Sequence, residues 1–169
     1  MRASRPGDGV NPSKSDGEAI TAAGLEALRA ELEELQTSGR RAMADRILAA
    51  RDLGDLKENA EYHIAKDDQA HLETRIKRLR ERLRNAVVVE ADASDSTFAF
   101  GRTAEVLDEA SGDVHTWTIV GPTEADLTQG KLSAESPVAS ALLGSAPGEV
   151  VEVQTPRGAR KYRVKKLVS

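Results

Sequence analysis

Leu25, Leu28, Leu32 and Leu35 recur at spacings of three, four and three, the stripe with which one helix faces another in a coiled coil. Thr21 stands just ahead of the stripe as an N-cap. Thr37-Ser38-Gly39 then interrupts it, and the apolar positions resume at Met43, Ile47 and Ala50, one residue out of register with the first set. A kink or short break near Gly39 is therefore expected. The helix should end by Gly54. A second stripe runs through Tyr62, Ala65, Gln69, Leu72, Ile76, Leu79, Leu83 and Ala86, again alternating threes and fours. Two such stripes joined by a tight turn predict antiparallel neighbours. About 30 residues at 1.5 Å each would make a rod roughly 45 Å long. A rod of that length is mostly surface, and reach is the obvious use for it.

After Asn85 the period changes. Ala86-Val87-Val88-Val89, Thr103-Ala104-Glu105-Val106-Leu107 and His115-Thr116-Trp117-Thr118-Ile119-Val120 read as short strands, the last two joined by a hairpin loop over 109–113. Asp92 to Thr97 is a polar linker. Ser136-Pro137 opens a short helix carrying Val138, Ala141, Leu142 and Leu143, which Gly144 stops. Residues 149–153 and 161–165 alternate as half-buried strands around the turn Thr155-Pro156-Arg157-Gly158. The fold class is thus α+β: a helical hairpin over residues 20–90, then over 91–169 a small antiparallel sheet with one short helix. Residues 1–19 are rich in Gly, Ser, Pro and charge, contain no apolar run, and read as a disordered extension.

Composition narrows the function classes. In 169 residues, 24 Lys and Arg face 28 Asp and Glu, a net charge of −4, so any electrostatic attraction to nucleic acid must be local. There is no cysteine, which removes disulfide and thiol chemistry. Five aromatic residues, Tyr62, Phe98, Phe100, Trp117 and Tyr162, are too few for a base-stacking platform or the aromatic pocket of a prolyl isomerase. No stretch approaches the ~18 apolar residues of a membrane span, and no hydrophobic segment follows the early arginines as in a secretory signal. A soluble, cytoplasmic protein with no membrane partner is expected.

Candidate chemistry gathers in Gly54-Asp55-Leu56-Lys57-Glu58-Asn59, between the two helices. Asp55 followed three residues later by Glu58 is a capping-box pattern, and both charges suit the start of a helix. The same two carboxylates would also stand at the extreme tip of a hairpin, as a working end. Arg40, Arg41, Arg46, Arg51, Lys57 and Lys66 lie on the half of the rod nearer that tip, and Arg75, Lys77, Arg78, Arg80, Arg82 and Arg84 crowd its base. The basal cluster, interleaved with Glu73 and Glu81, reads as a solvated helix face. His63, Asp67 and His71 repeat at a spacing that can bind zinc, but on an exposed stripe surface coincidence accounts for them.

Three segments in this order, 54–63 at the hairpin turn, Ile119-Val120-Gly121-Pro122, and 132–144, resemble the bacterial Gre transcript-cleavage factors. The likeness covers roughly Ile20 to Val168, leaving the extension unexplained. It implies that the coiled-coil hairpin enters the secondary channel of bacterial RNA polymerase while an FKBP-like C-terminal domain docks on the rim, with Ser136 and Pro137 in the docking surface. Asp55 and Glu58 would help hold a Mg2+ ion shared with the polymerase active site, the chain having no cofactor of its own. Arg51 and Lys66 would face the nascent RNA 3′ end and touch phosphates without reading sequence. Magnesium takes near-octahedral oxygen and usually one or two protein carboxylates, so such a pair would complete a partner's site rather than form one. The implied role is to donate acidic groups in trans and stimulate the polymerase's own cleavage of backtracked RNA, releasing arrested complexes. The alternatives are a factor in the same channel that inhibits the polymerase, and a coiled-coil adaptor whose tip charges are dispensable.

Overall fold

The computed structural model describes residues 17–55 and 58–169. The expected disorder of residues 1–16 and the parts foreseen for Leu56 and Lys57 at the tip lie outside the described residues. The chain forms two compact units. One is Leu25–Asn85, and the other joins the described residues up to Gly24 to Ala86–Ser169.

In the first unit, α1 (Ala22–Glu34) and α2 (Arg40–Arg51) are continuous through a π-helical turn at Leu35–Gly39, and α3 (Ala60–Asn85) runs back beside them. Where a kink or short break was expected near Gly39, the helix instead runs on without interruption through this π turn. A π turn accommodates one residue more than an α turn, and one residue is the shift between the two halves of the first apolar stripe. Thr37 Oγ1 donates to Glu33 O at 2.8 Å within the wide turn. Leu28, Ile47 and Ala50 are buried on one side of the hairpin, and Ala65, Ile76 and Leu79 on the other. Antiparallel packing places Glu31 against Arg75, Arg40 against Glu73 and Arg46 against Asp68. Arg40 Nε lies 2.9 Å from Glu73, and this hydrogen bond holds the Glu73 carboxyl below its ordinary value.

Thr21 caps α1 as its position predicts, its hydroxyl accepting from Gly24 N at 3.0 Å. The cap of α3 differs from the expected one. The helix begins at Ala60, further along than an Asp55 cap would start it, and Asn59 Oδ1 accepts from Tyr62 N at 3.1 Å. Asn59 is the residue immediately ahead of the helix and can bond the N–H three residues on, which is what an N-cap does.

The second unit contains two sheets. Strand β1 (Glu18–Ile20) pairs in parallel with β2 (Ala86–Val88), so Glu18 and Ala19, assigned from sequence to the disordered extension, belong to a strand. The larger sheet is formed by β3 (Thr103–Asp108), β4 (Val114–Val120), β5 (Lys131–Ser133), β6 (Val150–Thr155) and β7 (Gly158–Leu167), in the order β5-β4-β3-β7-β6. It is antiparallel throughout except that β5 lies parallel to β4. Three residues are too few to show alternation, which is why Lys131-Leu132-Ser133 escaped the reading of sequence. The turn into β5 needs Gly130, whose φ is +70° and where a Cβ would run into the backbone oxygen of Thr116.

Short helix α4 (Pro137–Leu142) packs on this sheet, burying Ala139 and Leu142 with Phe98, Val106, Ile119, Val153 and Val164. Phe98, Phe100 and Tyr162 are core residues and Trp117 packs against them. The aromatic side chains thus build the interior of the unit. Glu124, in the loop after β4, accepts from Thr21 N at 3.0 Å, from Gly121 N at 3.2 Å and from the Thr21 hydroxyl. Its carboxylate occupies the space where a side chain at Gly24 would stand.

Candidate functional site

The turn between α2 and α3 is built from the helix ends outward. At the end of α2, Asp52 N donates to Leu48 O at 3.3 Å, Leu53 N to Ala50 O at 3.2 Å and Gly54 N to Arg51 O at 3.4 Å. The tightening bonds use the helix's last carbonyls. Gly54 then takes φ +131°, outside the range ordinary side chains adopt, and turns the chain away. Asp55 and Glu58 follow, both exposed.

On the far side, Asn59 engages both helix ends. Its Oδ1 caps α3 through Tyr62 N, and its Nδ2 donates to Ala50 O, a carbonyl of the last turn of α2. The Arg51 guanidinium lies over the Tyr62 ring, 5.8 Å from its centroid, within range of a cation–π attraction. Tyr62 also meets His63 edge to face at 5.7 Å. Tyr62 is half-buried and Arg51 exposed, so the ring braces a cation that remains open to solvent. Further along α3, Lys66 Nζ donates to Gln69 Oε1 at 3.0 Å. Leu48, Leu53 and Ile64, from the end of α2, the turn and the start of α3, are 60%, 71% and 48% exposed. Three large apolar side chains are thus left open on the helix ends and the turn that also carry Asp55 and Glu58.

Of the residues singled out from sequence, Arg51, Asp55 and Glu58 thus come together at the turn, and Lys66 lies on the helix that leaves it. Ser136 and Pro137 belong to the other unit. Ser136 is the N-cap of α4, its Oγ accepting from Ala139 N at 3.2 Å, and Pro137 is the first helical residue. His63, Asp67 and His71 are exposed, and among the described residues no three His, Cys, Asp or Glu side chains are gathered as a metal site would require. No helix among the described residues is long and apolar enough to cross a membrane. Asn59 and Glu124 are the organising residues that the reading of sequence missed. The signal for Asn59 was its place directly before the helical stripe that opens at Tyr62. Nothing local marks Glu124, because Thr21 lies far from it along the chain.

Fold and site define a class: a helical hairpin presenting acidic, basic and apolar side chains at its turn, joined to a mostly antiparallel sheet unit. Residues 18–88 match the family described as Transcription elongation factor, N-terminal, and residues 93–168 match Transcription elongation factor, GreA/GreB, C-term. Transcription elongation factor GreA of Alkalilimnicola ehrlichii is 44% identical over 147 residues, covering 86% of this chain and 93% of the relative. The protein of the same description from Bacillus subtilis is 41% identical over 148 residues, covering 88% and 94%. A solved structure, GreA factor homolog 1 (Gfh1) of Thermus thermophilus, is 29% identical over 90% of this chain and 99% of its own, with a TM-score of 0.40. The chain belongs to the GreA/GreB family of transcription elongation factors.

Proposed function

We propose that the protein binds bacterial RNA polymerase in the cytoplasm, passes its helical hairpin into the secondary channel, and stimulates the polymerase's own hydrolytic cleavage of backtracked RNA. The observation that carries this reading is the exposed pair Asp55 and Glu58 at a turn where the cap of α3 is supplied by Asn59. With the cap of α3 supplied by Asn59, two exposed carboxylates at the turn are available to chemistry in a partner's active site.

Asp55 and Glu58 would hold a Mg2+ ion jointly with acidic groups of the polymerase. Two hard oxygen donors fit an ion that keeps most of its shell for water and phosphate oxygen. When bound, such an ion polarises the phosphoryl group and lowers the pKa of a coordinated water. The chain's own residues perform the rest. The carboxylates orient the attacking water, Arg51, braced by Tyr62, lies against the transcript's phosphates, and Lys66 adds a second cation from α3. The water oxygen bonds to phosphorus and gives up a proton, the bond to the 3′ oxygen opens, and that oxygen takes up a proton in turn. Leu48, Leu53 and Ile64 pack against the channel, and the surface around Ser136 and Pro137 docks on its rim, with exposed Pro137 making the contact while Ser136 holds α4 in place.

The test is RNA cleavage in a purified backtracked elongation complex with magnesium, comparing wild type with Asp55→Asn. The variant is expected to bind as wild type does while its stimulated rate falls by about 100-fold, the upper range for loss of a group that supports a metal site. Binding by wild type without faster cleavage would show an inhibitor or an adaptor on the same scaffold and overturn the reading.

A further inference from the structure

The Asn59 side chain is a primary amide placed between two helix ends that each need what the other lacks. Ala50 O, in the last turn of α2, accepts from Leu53 N at 3.2 Å and keeps a second lone pair for another donor, and the first turn of α3 presents N–H groups that no helical carbonyl reaches. The amide oxygen faces Tyr62 N, a donor, at 3.1 Å, and the amide nitrogen faces Ala50 O, an acceptor. The opposite orientation would set donor against donor and acceptor against acceptor, so chemistry fixes the amide's direction. Asp, Ser and Thr would cap α3, yet none presents an amide N–H to Ala50 while its oxygen caps. The position selects for asparagine on grounds that capping alone does not supply.

Resting on the cleavage function proposed above, we propose that Asn59 is a positioning residue for catalysis: by bonding Ala50 O and Tyr62 N at once it ties the end of α2 to the start of α3 and so sets where Asp55 and Glu58 stand. Asn59 is the chain neighbour of Glu58, and Ala50 that of Arg51, so the same amide holds the acidic pair and the cation in one frame. Tyr62 supplies the capped N–H and also the ring beneath Arg51. Catalytic groups act only when held near the productive geometry, and a displacement of about 1 Å can cost roughly 100-fold in rate.

Two variants separate the clamp from the cap. Asn59→Asp and Asn59→Ser each keep an oxygen for Tyr62 N and lose the amide donor to Ala50 O, one adding a charge and one not. The full-length variants are titrated into the backtracked complex, reading the half-saturating concentration and the maximal cleavage rate separately. Both should keep wild-type helicity and a half-saturating concentration within about twofold, while the maximal rate falls roughly tenfold. A maximal rate within twofold of wild type in both variants overturns the positioning role. So does a defect that excess factor restores, since that is loss of folding or affinity alone. A wild-type protein that binds without stimulating cleavage overturns the parent reading instead.

Discussion

The two units bury apolar surface in different ways. In the sheet unit Phe98, Val106, Ile119, Leu142, Val153 and Val164 belong to one contiguous cluster, with α4 closing it from one side. In the hairpin the buried side chains Leu28, Ile47, Ala50, Ala65, Ile76 and Leu79 form a single seam, and the cross-helix ion pairs lie on its exposed flanks. Exposed pairs contribute little, typically under about 1 kcal/mol each. The sheet unit is held by a core in three dimensions, the hairpin by a line. A line of contacts leaves both helices almost entirely on the surface, and that is the condition for presenting a turn to a partner.

The contrast breaks first at its strongest point. Phe98 has no exposed surface, and Phe98→Ala should destabilise the sheet unit by about 3–5 kcal/mol. The single tryptophan, Trp117, lies in that unit and reports on it alone, so its fluorescence transition should move to lower temperature while the helical circular dichroism of the hairpin persists. Coincident transitions would show that the units unfold as one. Ile76→Ala makes the converse change. Ile76 is 1% exposed, and its truncation should cost the hairpin about 2–4 kcal/mol, lowering the helical transition and leaving the Trp117 transition in place.

The smallest effect is one of acid. Asp92, Asp95 and Asp126, all in the sheet unit, are held below their ordinary values first by the hydroxyls of Ser94, Thr97 and Thr128 and next by the amides of the same residues. In the hairpin, Glu73 is held down by Arg40. A depressed carboxyl contributes stability that is present above its unfolded value, near 4 for these groups, and is lost as pH falls through the folded value. Between pH 5 and pH 3 the Trp117 midpoint should therefore drop further than the helical midpoint. An equal drop in both would assign the acid sensitivity elsewhere.

The same difference governs what could be read from sequence. The hairpin's seam repeats along the chain, so Leu28, Ile47, Ile76 and Leu79 announced themselves by spacing, and the shift after Leu35 announced an irregularity there, though as a kink or break and not as the π turn that forms. Strands β3, β4, β6 and β7 were legible because alternation survives wherever one face is buried. Strand β1 was hidden because its partner, β2, lies beyond the whole hairpin. At the turn the local pattern pointed to Asp55 and Glu58 as a cap, because their spacing fits one. The spacing rule carries no knowledge of Ala50, whose carbonyl favours an amide at position 59. Residue types at the candidate site were visible in sequence, and the frame holding them was a matter of three dimensions.

The π turn at Leu35–Gly39 has a consequence for how such a chain tolerates change in its genetic text. An added codon in a regular helix would rotate every later side chain by about 100° about the axis, carrying Ile47 and Ala50 off the seam and swinging Arg51 around the rod. Here the surplus residue is taken up within one wide turn, and the downstream half meets α3 as though nothing had been inserted. Residue count and the placement of Ile47, Ala50 and Arg51 about the axis are thereby uncoupled at this one turn.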